Sequence, residues 1–142
     1  MATSNAATTY LENKLLNFIF KNNAGSFSTP GDSIYLGLAT AVSDAEAGSV
    51  TEANFTNYAR QQIAASGWTV TSSSADTQTA KNAANVSFPA SGGTNNTITH
   101  AFIADAASSG NILFVGALDA SKTIESGDIF RVNANNLTIE LK

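Results

Sequence analysis

The stretch "THAFIADAASSGNILFVGAL", residues 99–118, decides the fold. Two apolar runs flank a short Asp-Ala-Ala-Ser-Ser-Gly-Asn link, and the first run holds the only histidine of the chain, His100. Thr97–Ala104 and Asn111–Leu118 read as strands, because each is a run of apolar and β-branched residues bounded by turn signals. The link has turn chemistry: Asp accepts nearby backbone N–H groups, and Gly adopts backbone conformations that other residues avoid. The stretch is therefore a hairpin of two core strands, with Asp105 and Gly110 shaping its turn. Strand alternation places His100 on a face with Ile98 and Phe102. That predicts a partly buried, hydrogen-bonded imidazole rather than a base.

Outward from the hairpin, the same pattern recurs. Ser33–Ala41, Tyr58–Ile63, Trp68–Thr71, Asn85–Phe88, Ile129–Val132 and Leu137–Leu141 read as further strands, separated by turn signals such as Ser66-Gly67, Ser91-Gly92-Gly93 and Ser126-Gly127-Asp128. The polar stretches 43–54 and 72–82 read as long loops. One segment, "TYLENKLLNFIFKN" at 9–22, is helical. Thr9 and Glu12 have the spacing of a capping box. Leu11, Leu15, Phe18 and Ile19 recur at helical spacing, and Leu16 and Phe20 widen the stripe. Asn22-Asn23-Ala24-Gly25 ends it. The simplest expectation packs this stripe on the chain's own core; the sharper one docks part of it on another subunit. Together the elements predict a mainly β fold, an antiparallel β-sandwich or small β-barrel with one N-terminal amphipathic α-helix. It forms a single domain over 1–142, with the helix at 9–22 and strands from about 33 to 141.

A chain of 142 residues with 43% hydrophobic content can bury a core of this kind. Charged residues are only 13%, while Ala, Ser, Thr and Asn make up half the chain. Small side chains cost little entropy to order, which suits a surface covered by neighbours. The net charge is −4, and the seven Lys and Arg are scattered. Nucleic-acid binding needs a clustered basic patch, so a nucleic-acid partner is not expected. Cysteine is absent, which removes disulfides, thiolate nucleophiles and cysteine-based metal sites. No apolar run nears the roughly 20 residues of a membrane span. The opening residues lack the positive start of a signal peptide, so the chain is expected to keep its N-terminus and to avoid the membrane.

The motifs of catalysis are missing too. There is no Gly-x-Ser-x-Gly elbow and no phosphate-binding glycine loop. One histidine without cysteine cannot build a zinc site of the usual kind. Asp105, Asp119, Glu125 and Asp128 each sit beside a turn signal, which turn chemistry explains better than a glycosidase pair. Their spacing is not that of a calcium loop. No catalytic residue, cofactor or metal ligand is therefore assigned, and no enzyme is expected. Arg60 in "NYARQQI" can make a bidentate contact across a subunit boundary or a surface salt bridge.

The order of segments carries a resemblance. "YLENKLLNFIF", "PGDSIYLGLATA", "NYARQQI", "NVSFPAS" and the long run from "TITHAFIADAASSGNILFVGAL" to "SKTIESGDIFRV" follow one another along nearly the whole chain. It resembles a family of small virion structural proteins of tailed bacteriophages and cyanophages. Members are often labelled tail-fibre proteins, and some act as head decoration, or cement, proteins. Where relatives often carry an aromatic and a glycine before the "ITH"-like strand, this chain has "GGTNNTITH". The resemblance implies a decoration protein on the capsid exterior. Such a protein would stabilise the head by binding the major capsid protein as a homotrimer. The alternative is a tail-associated or fibre protein that contacts the host surface, with carbohydrate binding possible. Candidate interface residues are Tyr10, Leu11, Phe18, Tyr58, Arg60 and Trp68.

Overall fold

The computed structural model describes residues 5–21, 34–74 and 77–141. The chain is mainly β, with one described helix near its N-terminus. The large sheet runs β1 (Ala6–Ala7), β9 (Ile112–Ile124), β8 (Asn96–Ala104), β2 (Tyr35–Asp44), β3 (Ser49–Glu52), and a two-residue strand β4 (Gln61–Gln62) also pairs with β2. All its pairings are antiparallel, and it curls into a half-barrel. A three-stranded sheet joins β5 (Trp68–Ser74), β6 (Thr77–Asn82) and β11 (Thr138–Leu141), and a small ribbon pairs β7 (Val86–Ser87) with β10 (Arg131–Val132). Helix α1 (Thr9–Lys21) follows β1 directly.

The main core lies on one face of the large sheet. Leu36, Leu38, Ile98, Ile103, Leu113 and Ile124 point there, and Ala53, Phe55, Ile63, Phe88 and Phe130 pack onto them. Trp68 and Ile139 of the three-stranded sheet, Leu137 just before β11, and Val86 and Val132 of the ribbon pack against this core. A row of rings runs through it: Phe55 meets Tyr58 edge-on at 5.3 Å, Tyr58 stacks on Phe88 at 6.0 Å, and Phe88 meets Phe130 edge-on at 5.9 Å. Such geometries follow the ring quadrupole. The opposite face carries a smaller cluster of Ala39, Ala45, Phe102, Ala104 and Val115.

The hairpin at 99–118 forms as its sequence implies. Ala104 faces Ile112 across the turn. The Asp105 carboxylate accepts the Asn111 backbone N–H at 2.7 Å and its side-chain amide at 2.8 Å. Gly110 has φ +69°, and a Cβ there would meet Asp105 Oδ1 and Ala106 Cβ at 2.6 Å. The face of His100 differs from expectation. A register shift between Ile98 and His100 breaks the alternation, so Ile98 joins the main core while Phe102 joins the opposite cluster. His100, paired with Ala39, lies on the side of Phe102. Such a bulge has no signal in a period-two pattern.

Three other expectations are corrected. The stretches 43–54 and 72–82 are not loops throughout: they contain β3, the end of β5, and β6. In β6 the buried alternating residues are Thr77 and Thr79, so hydropathy alone misses the strand. Tyr58–Ile63 is a strand only at Gln61–Gln62, because Asn57 takes φ 75° and turns the chain before it. The cap of α1 is Thr8, not Thr9. The Thr8 hydroxyl accepts the Leu11 N–H at 3.3 Å and donates to Ile112 O at 2.6 Å, which moves Glu12 out of the capping-box position. The expected helix stop at 22–25 lies outside the described residues.

The largest correction concerns the helix. No residue of α1 is buried. Leu11 packs against the edge of the main core, but Leu16, Ile19 and Phe20 are 55%, 57% and 79% exposed. The expectation that the whole stripe packs on the chain's own core does not hold. A stripe six residues wide exceeds what one sheet margin can cover.

Candidate functional site

Strand β2 has a gap on one side. It pairs with β3 from Ala39 onward and with β4 at Tyr35 and Leu36. Between them the Leu38 N–H points at no strand. The Tyr58 hydroxyl enters this gap, accepts that N–H at 3.0 Å and donates to Glu52 Oε1 at 2.8 Å. The ring of Tyr58 stays against the main core. One side chain thus does the hydrogen bonding of a missing strand and the packing of a core residue.

Two residues later, Arg60 forks onto Glu52. Its Nε donates to Oε1 and its Nη2 to Oε2, both at 2.8 Å. Its Nη1 donates to Ala106 O at 2.9 Å and to Ser109 O at 2.8 Å, in the turn of the β8–β9 hairpin. The Arg60 side chain is only 6% exposed. The guanidinium lies 5.0 Å from the Phe102 ring centre, and the tip of that ring rests on bare Gly37, where a Cβ would come within 2.2 Å of it. A planar fork with fixed donors suits this task in a way that a lysine does not. The tetrapeptide Tyr58-Ala59-Arg60-Gln61 is therefore a lock: it joins β2, β3, β4 and the hairpin turn.

Electrostatics follow from the lock. Burial pushes the Glu52 carboxyl up, but the bonds from Arg60 and Tyr58 and the Arg60 charge outweigh it and hold it below its ordinary value. The bond to Glu52 raises Arg60 further. Burial, helped by the Glu52 carboxylate, pushes the Tyr58 hydroxyl far up. The three groups are committed to one another.

Above the lock lies an open cleft of about 350 Å³. Thr8 and Tyr10 form one lip, the β2–β3 turn at Ala47 and Gly48 another, and Ser109, Gly110 and Asn111 the third, with Glu52 and Arg60 at its floor. The floor charges are spent on each other, which leaves the cleft a shaped surface without a free acid–base pair. Elsewhere His100 Nδ1 sits 2.8 Å from Thr99 Oγ1. Among the described residues no group of His, Asp or Glu is arranged to hold a metal ion.

The six candidate residues fall in different places. Tyr58 and Arg60 form the lock, and the bidentate contact of Arg60 is made with Glu52 of the same chain. Trp68 is half-buried against the main core. Tyr10 is on the cleft lip, Leu11 touches the core, and Phe18 is half-exposed on α1. Sequence reasoning missed Glu52, the partner of Arg60, which stands in a polar stretch with no motif around it. It also missed Asn82. That side chain is fully buried and bonds Ala84 O, Asn133 O and Leu137 N at 2.8–2.9 Å, pinning the chain before β11 to the end of β6.

A curled β-sheet with one ion pair locked at its turn end and an apolar helix on its margin fits a protein built for contact, of the structural class. A family model described as podophage GP4 fiber I protein gp80 matches residues 6–140. The chain belongs to this family, and its role is that of a phage virion structural protein. No curated protein matches it.

Proposed function

We propose that the chain is a non-enzymatic fibre subunit of a podophage tail, working through shared contact area. The observation that carries this is the helix. The chain satisfies its buried polar side chains among the described residues yet presents Leu16, Ile19 and Phe20 of α1 to the outside. An apolar patch rimmed by polar residues marks a surface meant to be covered. The family's description as a fibre protein supports the tail over the capsid exterior. Low charge and small side chains suit close packing of neighbours.

Purified particles test this. Antibody-labelled electron microscopy and gel densitometry should find the protein at the tail, in a copy number set by the tail's rotational symmetry. Label over the head, with copies in proportion to the capsid subunits, would make it a decoration protein bound to the major capsid protein. Absence from particles would remove both.

A further inference from the structure

We propose that residues 5–21 form a strap that releases from the body as one unit: β1 peels from β9, the seat of α1 opens, and the rest of the chain stays folded. This rests on the reading of a contact protein, because the strap decides how the apolar face of α1 is aimed. Seated, the face points one way; released, it can turn toward a contact.

The bonds that seat the strap fall on neighbouring residues at its start. Ala6 and Ala7 pair with Val115 and Phe114. The Asn5 side-chain Oδ1 accepts the Ala117 N–H at 2.8 Å. The Thr8 N–H donates to Leu113 O at 2.9 Å and its hydroxyl to Ile112 O at 2.6 Å, and the Thr9 N–H donates to Glu46 O at 2.8 Å. Within the strap the buried residue is Thr8, which is polar. Ala6 and Leu11 lie partly buried against the two clusters, and no residue of α1 is buried. The body does not lean on the strap in return. Among the described residues every buried hydrophobic side chain lies at Leu36 or beyond. Strand β8 is bonded on both sides, to β2 and to β9, and β1 takes no part in either ladder. Segments with few buried apolar groups open locally, well below the free energy of global unfolding. Release therefore uncovers little apolar surface and bares the edge of β9 at 114–117. It also takes Thr8 and Tyr10 away from the cleft, so one lip above Glu52 and Arg60 leaves with the strap.

Amide hydrogen exchange on the full, dilute chain tests the proposal. The amides of Thr8, Thr9 and Ala117 are bonded between strap and body. Relative to their unstructured rates they should exchange about a hundredfold faster than the amides of β8. They should respond little to urea below the unfolding range, since a small opening exposes little surface. A clamp locates the movement. Ala6 and Val115 face each other across the ladder, close enough for a disulfide, and the chain has no cysteine of its own. Ala6→Cys with Val115→Cys, once oxidised, should slow all three amides about tenfold or more, and reduction should restore them. The reduced form is the control for the fold. Wild-type amides as slow as those of β8, with the same urea response, would mean that the strap opens only with the whole molecule and would overturn the proposal. So would a formed disulfide that leaves the three rates unchanged. If the pair does not oxidise, the wild-type rates decide alone. The readout needs no particle, so a label found away from the tail sinks the fibre reading and leaves the strap untouched.

Discussion

At the turn end of the large sheet the polar Arg60 side chain is enclosed, with Glu52 and Tyr58 half-buried beside it; along its β1–β9 margin, α1 carries Leu16, Ile19 and Phe20 into the open. Both regions run against simple hydropathy, in opposite directions. In the first, each buried polar group meets a partner in the same chain, so enclosure adds stability. In the second, the apolar groups meet little of their own chain, so they add little to the stability of the single subunit. The lock holds the subunit together, and the helix is what the subunit has to offer. Substitutions in the two regions should therefore fail in different assays.

The largest effect is expected at Phe102, which the guanidinium of Arg60 covers. Phe102→Ala should cost about 4 kcal/mol of folding stability, by lost burial and the cavity left behind, read as an earlier denaturant midpoint. Arg60→Ala should cost about 3 kcal/mol, because Glu52 and two turn carbonyls lose their donor; Glu52 keeps some water contact, which holds the loss near the low end. Gly110→Ala should cost about 2 kcal/mol, since its positive φ and its contact with Asp105 both resist a side chain. Acid gives a graded version of the Arg60 result. The folded Glu52 carboxyl is held below its ordinary value, so its contribution is complete above the unfolded carboxylate range and is lost as pH falls through the folded value. Arg60→Ala should flatten that part of the stability–pH curve. The smallest effect is expected on the helix: Leu16→Asp alone should move subunit stability by no more than about 0.5 kcal/mol. A large loss there would mean that α1 belongs to the core after all, and the contrast between the two regions would fail.

How much of this was legible follows from the interactions involved. The hairpin at 99–118 was readable because its turn residues act locally: Asp105 bonds Asn111 six residues on. The helix existed in the sequence for the same reason, as one continuous periodic run. What the period cannot say is which way the stripe faces, and the exposure of Ile19 and Phe20 depends on how α1 meets β9. Strand β6 was invisible because buried threonines carry its alternation. The bulge near Thr99 was invisible because it shifts register without a Gly or Pro to mark it. The lock was half legible. Arg60 stood out as a cation inside an otherwise neutral segment, but its partners are eight residues upstream at Glu52 and nearly fifty downstream at Ser109. No local pattern joins them.

The place of β1 has a consequence for the order of events at synthesis. This two-residue strand pairs with β9 at Val115 and Phe114, and Thr8, which caps the helix, bonds Ile112 across 104 positions of chain. The N-terminal arm therefore leaves the ribosome 104 positions ahead of the strand residue that seats it, and waits for β9 to be made. Closing so long a loop is slow. The nascent chain thus makes every other strand of the large sheet before it can aim its helix, and presentation of that face follows completion of that sheet.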